Sequence, residues 1–124
     1  MAQKTILIVE DDAPILQALV DKFTNEGFSV IEASDGEEGL MKAKDEKPEV
    51  ILLDIVMPKM DGITMLKELR GSDWGKDIPV FLLTNLSDMD KISESVQIGI
   101  SGYMIKSDWK LEDVVKKVKE KLDL

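Results

Sequence analysis

Residues 50–53 read Val-Ile-Leu-Leu, four large aliphatics in succession, and the next residue is Asp54. A strand with one wet face would alternate apolar and polar positions. An unbroken run instead requires cover on both faces, which is the situation of a central strand in a parallel sheet between two helical layers. Asp54 then stands at the carboxyl end of that strand. Pro58 excludes further regular pairing, and Asp61-Gly62 offers a cap and a flexible turn ahead of the next periodic segment.

The same arrangement repeats along the chain. Thr5–Val9 is a second continuous β-branched and aliphatic run, and it ends in Glu10-Asp11-Asp12. From Ala13 the period becomes helical: Pro14 suits a first turn, and Ile15, Leu16, Leu19, Val20 and Phe23 recur until Gly27. Phe28 to Ala33 reads as a short strand. Ser34-Asp35-Gly36-Glu37 has the capping-box pattern, opening a helix through Leu40, Met41 and Ala43 to Lys47 before Pro48. After the Val50 to Asp54 strand, Ile63, Leu66 and Leu69 mark one face of a helix ending near Arg70-Gly71. Pro79 to Thr84 is a fourth strand. Met89, Ile92 and Val96 mark the most weakly amphipathic helix, Gly102 to Ile105 a short fifth strand, and Leu111, Val114, Val115, Val118 and Leu122 the stripe of a terminal helix.

Five strands alternating with five helices through short connections predict parallel crossovers and an α/β sandwich of three layers. Right-handed crossovers leave Rossmann-like and flavodoxin-like orders open, and a five-strand chain of 124 residues fits the flavodoxin-like, doubly wound (βα)5 order 2-1-3-4-5 best. Residues 1–124 are expected to form a single domain. Ligands of such sheets bind outside the carboxyl ends of the strands, at the switch point between strands 1 and 3.

Composition narrows the chemistry. With no Cys there is no disulfide framework, thiolate metal site or sulfur nucleophile. With no His, the commonest general base and metal ligand is missing, so chemistry must rest on carboxylates, hydroxyls, Lys or a bound ion. A net charge of −9 argues against a nucleic-acid surface, whose affinity comes from cations meeting phosphates. No apolar run approaches the ~20 residues of a membrane span, and the N-terminus lacks a signal-peptide pattern. A cytoplasmic protein with neither direct nucleic-acid binding nor membrane insertion is the expectation.

The remaining polar residues converge on one edge. Glu10 and Asp11 follow strand 1, Asp54 ends strand 3, Thr84 ends strand 4 and Lys106 follows strand 5. Three acids around one switch point repel unless a cation sits among them, and an all-oxygen ligand set favours Mg²⁺ or another hard divalent ion. Lys106 adds a compact positive charge and Thr84 a hydroxyl donor, which suit an incoming phosphoryl group. Asp12 and Asp61 read as caps or loop acids. Trp74 and Trp109 are expected to be partly buried against neighbouring helices.

The motifs ILIVEDD at 6–12, LLDIVMPKMDG at 52–62, LLT at 82–84 and YMIK at 103–106 together resemble the receiver domain of two-component response regulators, in its stand-alone chemotaxis-regulator type. The resemblance covers essentially the whole chain. It implies a phosphorelay switch without an output domain, in which Asp54 accepts a phosphoryl group as an acyl phosphate. It also implies Mg²⁺ held by Glu10, Asp11, Asp54 and the backbone carbonyl of Val56. Lys106 would pair with the phosphoryl oxygens, Thr84 would close on them, and Tyr103 would act as the aromatic switch that turns inward. The implied partners are a sensor histidine kinase or phosphotransfer protein and a downstream protein bound at the helix 4, strand 5, helix 5 face. The implied activity is self-directed phosphotransfer and dephosphorylation rather than enzymatic turnover.

Two positions depart from the family pattern. Ser107 stands where a cis Pro is usual, and Asn85 follows Thr84 where a small residue is common. Three rival classes are weaker. A phosphoaspartyl phosphatase of the haloacid-dehalogenase type needs an acid two residues after its nucleophile, and that position is Val56. A nucleotide-binding flavodoxin-like domain needs a Gly-rich loop after strand 1, where this chain has Glu10-Asp11-Asp12. A receiver-like scaffold that is never phosphorylated would bind its partner regardless of phosphate and Mg²⁺.

Overall fold

In the computed structural model, which describes residues 3–124, each apolar run becomes a strand and each helical period a helix. The order is β1 (Thr5–Val9), α1 (Ala13–Asn25), β2 (Ser29–Ala33), α2 (Gly36–Glu46), β3 (Val50–Asp54), α3 (Gly62–Arg70), β4 (Val80–Thr84), a 3-10 helix (Leu86–Lys91), α4 (Ile92–Ile98), β5 (Gly102–Ile105) and α5 (Leu111–Lys121). All neighbouring strands are parallel, and the sheet order is β2-β1-β3-β4-β5. This is the flavodoxin-like order, with the switch point between β1 and β3.

Alternation along each strand sends side chains into two separate cores. Leu7, Val9, Ile51, Leu53 and Leu82 face Ala43, Met65, Leu66, Leu69 and Ile92 on the side of α2, α3 and α4. Ile6, Ile8, Val50, Leu52, Phe81 and Leu83 face Leu19, Phe23, Val114, Val115 and Val118 on the side of α1 and α5. Every residue of β3 and β4 is buried. Full burial of each large aliphatic contributes about 1.5–3 kcal/mol, so both central strands are held from above and below. Trp74 packs partly against the first core and Trp109 against the second, as expected of both.

Helix starts follow from short acids. Asp12 Oδ1 accepts from the Ile15 amide (3.2 Å) and Asp61 Oδ1 from the Thr64 amide (2.8 Å), so both are caps as read from the sequence. The box at α2 is displaced by one residue. Asp35, not Ser34, is the cap, accepting from the Glu38 amide (2.8 Å), and Glu38, not Glu37, reaches back to the Ser34 amide (2.7 Å). A carboxylate caps as well as a hydroxyl, and the chain used the later acid.

The region after β4 differs most from the expected single helix. Its first part is the 3-10 helix Leu86–Lys91, and neither it nor the seven-residue α4 has a side-chain cap. The buried residues of α4 are Ile92 and Ser95, whereas Val96 is 59 % exposed. Ser95 satisfies its hydroxyl locally on the Lys91 carbonyl (3.0 Å), so a polar residue can face the core. Val96, about 100° further round, then points to solvent. Met41 on α2 is likewise exposed, outside the stripe expected of it. Among the described residues no peptide bond is cis, including Lys106-Ser107, and no helix is long and apolar enough to cross a membrane.

Candidate functional site

The register of the sheet brings the predicted polar residues together. Val9 pairs with Leu53, so Glu10 and Asp54, each one residue further on, leave adjacent strands side by side. Asp54 lies opposite Leu83, and Thr84 opposite Ile105, so Thr84 and Lys106 extend one step past their pairs. The Lys106 amide donates to the Thr84 carbonyl (2.7 Å), which fixes that step. Carboxylate oxygens of Glu10, Asp11 and Asp54 all lie within 4.8 Å of one another. Glu10 and Asp54 are buried and Asp11 is exposed, which leaves the cluster open on one side.

Lys106 is the only cation that the described residues place against these acids. Its Nζ is 2.5 Å from Glu10 Oε1 and 3.2 Å from Asp54 Oδ2. The other oxygen, Glu10 Oε2, accepts from the Asp12 amide (3.1 Å). Oε1 is fully buried and receives no hydrogen bond of proper angle, although the ammonium is close. A buried carboxylate oxygen without a hydrogen bond is costly, and a hard cation is the species that an oxygen-only cluster of this kind accommodates. The donor set therefore fits Mg²⁺. The Val56 carbonyl accepts no hydrogen bond among the described residues and is free to join, whereas the neighbouring Ile55 carbonyl is taken by the Gly62 amide (2.7 Å).

The electrostatics agree. Burial, then the hydrogen bond and charge of Glu10, push the Asp54 carboxyl up to about 8, with Lys106 pulling the other way. Burial also works against the Lys106 ammonium, but the close carboxyl groups and charges of Glu10 and Asp54 outweigh it and hold the group above its usual range. Two carboxyl groups and one ammonium thus share a dry corner, in which both acids ionise together only when a further positive charge joins Lys106.

The other predicted residues stand apart from this triad. Thr84 is fully buried, and its hydroxyl donates to the Asn85 carbonyl (3.1 Å) rather than toward the acids. Tyr103 is paired with Leu82, on the same face of the sheet as Thr84, and is 40 % exposed at the sheet edge. Gly62 carries more than a flexible turn. A Cβ there would stand 2.1 Å from the Asp54 carbonyl oxygen, so only glycine lets α3 start against the strand end. The sequence reading missed Asp35 and Lys59, which pair beside the loop after Asp54. Their only signals were the capping pattern around Asp35 and a lone Lys in the loop after Asp54.

The family model for the response regulator receiver domain matches residues 6–119. The chain belongs to that family. Among curated relatives of the receiver, the alkaline phosphatase synthesis transcriptional regulatory protein PhoP of Bacillus subtilis is 40 % identical over 104 residues, covering 83 % of this chain and 42 % of PhoP. The receiver spans 40–51 % of the length of the curated relatives it matches. A CheY-like receiver domain protein of Methanospirillum hungatei superposes with a TM-score of 0.90 at 30 % identity, covering 98 % of this chain and 95 % of that one. CheY in the CheX–CheY–BeF3–Mg complex of Borrelia burgdorferi gives 0.85 at 31 % identity, covering 96 % and 89 %. As a receiver, the domain is a regulatory phosphoacceptor switch of two-component signalling.

Proposed function

We propose that Asp54 is the phosphoacceptor, that Glu10, Asp11, Asp54 and the Val56 carbonyl hold Mg²⁺, and that residues 1–124 work as one receiver domain in the cytoplasm. The observation that carries this reading is the Lys106 ammonium wedged between buried Glu10 and Asp54 within a cluster of three acids. The Borrelia relative solved as a complex with BeF3 and Mg supports the choice of ion.

In the reaction an ionised Asp54 oxygen attacks phosphorus of a phosphohistidine. The new O–P bond replaces the donor's N–P bond, and the imidazole nitrogen leaves with the electron pair and takes up a proton. The chain has no His, so the donor is a histidine kinase or phosphotransfer protein. Mg²⁺, when bound, neutralises the acids and the phosphoryl oxygens. Asp54 must be ionised to attack, and its carboxyl titrates near 8 without the ion, so cation binding and nucleophilicity are linked. Lys106 shifts from the carboxylates to the added phosphoryl oxygens. Thr84 exchanges the Asn85 carbonyl for the same group. That vacates space on the face it shares with Tyr103, which turns inward and changes the surface of α4, β5 and α5 read by a downstream protein. Turnover is confined to the domain's own phosphorylation and dephosphorylation.

Acetyl phosphate with Mg²⁺, followed by intact-protein mass spectrometry, tests the assignment. One added phosphoryl group is expected in the wild type and none in Asp54→Asn. Labelling that survives Asp54→Asn overturns it.

A further inference from the structure

The loop between Asp54 and α3 is closed at its base by the Gly62 amide on the Ile55 carbonyl and by the close approach of Gly62 to Asp54. Along its side it leans on the first turn of α2. A Cβ on Gly36 would lie 2.0 Å from the Met60 carbonyl oxygen, so backbone meets backbone with no room for a side chain. Lys59 sits in this loop with φ 67°, a left-handed conformation uncommon for a residue with a side chain. That conformation accompanies an ion pair across the gap, Lys59 Nζ to Asp35 Oδ2 at 3.8 Å. Asp35 is itself fixed, because its Oδ1 caps α2 through the Glu38 amide and its side chain is mostly buried.

The geometry points to Lys59 and Asp35 as a strap between α2 and the loop that presents the Val56 carbonyl, making both of them positioning residues for the cation. The inference rests on the metal reading given above. A carbonyl ligand on a loop binds well only if the loop is already in place, and partners that orient ligands from behind are as much a part of a metal site as the ligands. Lys59 is largely exposed, so the pair adds little to global stability. Its effect is on the loop.

Charge and strapping make opposite predictions, which separates them. By charge alone, removing Lys59 near a cation site tightens Mg²⁺ binding and removing Asp35 weakens it. By strapping, both weaken it. The experiment is a calorimetric Mg²⁺ titration of the wild type, Lys59→Met, Lys59→Arg, Asp35→Asn and the Lys59→Met/Asp35→Asn double variant, with thermal midpoints taken without Mg²⁺. Asn caps a helix as well as Asp, so Asp35→Asn removes the charge and keeps α2. The expected result is a Kd raised about threefold or more in both single variants. The double variant is expected to match the more severe single, Lys59→Arg to stay near the wild type, and the midpoints to be unchanged. Single-variant effects of opposite sign, effects that add, or affinities that fall in step with the Mg²⁺-free midpoint overturn the strap. Unchanged affinities beside a wild type that binds also overturn the strap alone, whereas a wild type that binds no Mg²⁺ overturns the metal reading and the strap with it.

Discussion

The Lys106 ammonium lies nearer to Glu10 than to Asp54, the proposed nucleophile: 2.5 Å against 3.2 Å. In the ion-free protein Lys106 serves chiefly as the counter-charge of a fully buried glutamate. Lys106→Met leaves that charge unpaired and is expected to destabilise the Mg²⁺-free protein by about 1–3 kcal/mol near neutral pH. Urea denaturation measures the loss, and saturating Mg²⁺ is expected to recover most of it. An equal loss with and without Mg²⁺ contradicts this account.

Asp54 gives the fold a pH dependence of unusual sign for an acid. Its carboxyl is pushed up to about 8 in the folded protein from the ordinary 3.8 it keeps when unfolded, so between those values the native state holds a proton that the unfolded chain has lost. Its contribution is therefore complete below the unfolded value and is lost as pH rises through the folded one, by at most ~1.4 kcal/mol per pH unit. Acids stabilised by ion pairs, such as Glu26, which a hydrogen bond from Lys119 holds below its usual range, work in the opposite direction. The difference between the wild type and Asp54→Asn isolates the effect. Asp54→Asn is expected to gain on the wild type as pH is raised from 5 to 8, and a constant difference in denaturation free energy refutes it.

Mg²⁺ held by Asp54 as proposed must displace that group's proton to bind. Below pH 8 binding is expected to release up to one proton, and affinity to rise with pH until Asp54 is ionised. Titration calorimetry in buffers of different ionisation enthalpy counts the proton. Release should vanish in Asp54→Asn.

Thr84→Val keeps the shape of a fully buried side chain and removes a donor whose partner, Asn85, is exposed to water. Stability is expected to change by less than ~1 kcal/mol. Phosphorylation continues, but the ring signals of Tyr103, the single tyrosine, no longer shift when the domain is phosphorylated. NMR of that ring reads the uncoupling directly, and a wild-type shift in the variant would remove Thr84 from the switch.

Val56 and Leu86 expose apolar side chains two residues after Asp54 and Thr84. Neither can hydrogen-bond a water aligned for attack on the acyl phosphate. Val56→Asn supplies such a group and is expected to speed dephosphorylation about tenfold, measured by loss of the phosphorylated mass after the donor is removed. An unchanged lifetime counts against water positioning at this mouth.

Strands, their order and the acidic edge were legible because β1, β3 and β4 are apolar runs, β1 followed by Glu10 and the other two ending in Asp54 and Thr84. Burial on both faces leaves a linear trace in sequence. The α4 region left a poor one, since Ser95 faces the core by bonding its own helix and Val96 does not, reversing the expected roles of polar and apolar residues. Asp35 and Lys59 were hidden for another reason. Their pairing joins α2 to the β3–α3 loop, and a contact across two elements has no local pattern. Asp35 was visible only as part of a cap, and the box read there was one residue out of frame.

Asp54, the proposed phosphoacceptor, belongs to β3, a strand buried at all five positions, whereas Tyr103 lies on β5, a four-residue edge strand with one buried position, beside an uncapped α4. Local opening free energies follow this gradient, so amide exchange is expected to be slowest around Asp54 and fast around Tyr103. The proposed output surface is thus expected to open locally far more often than the strand that holds the Asp54 carboxylate.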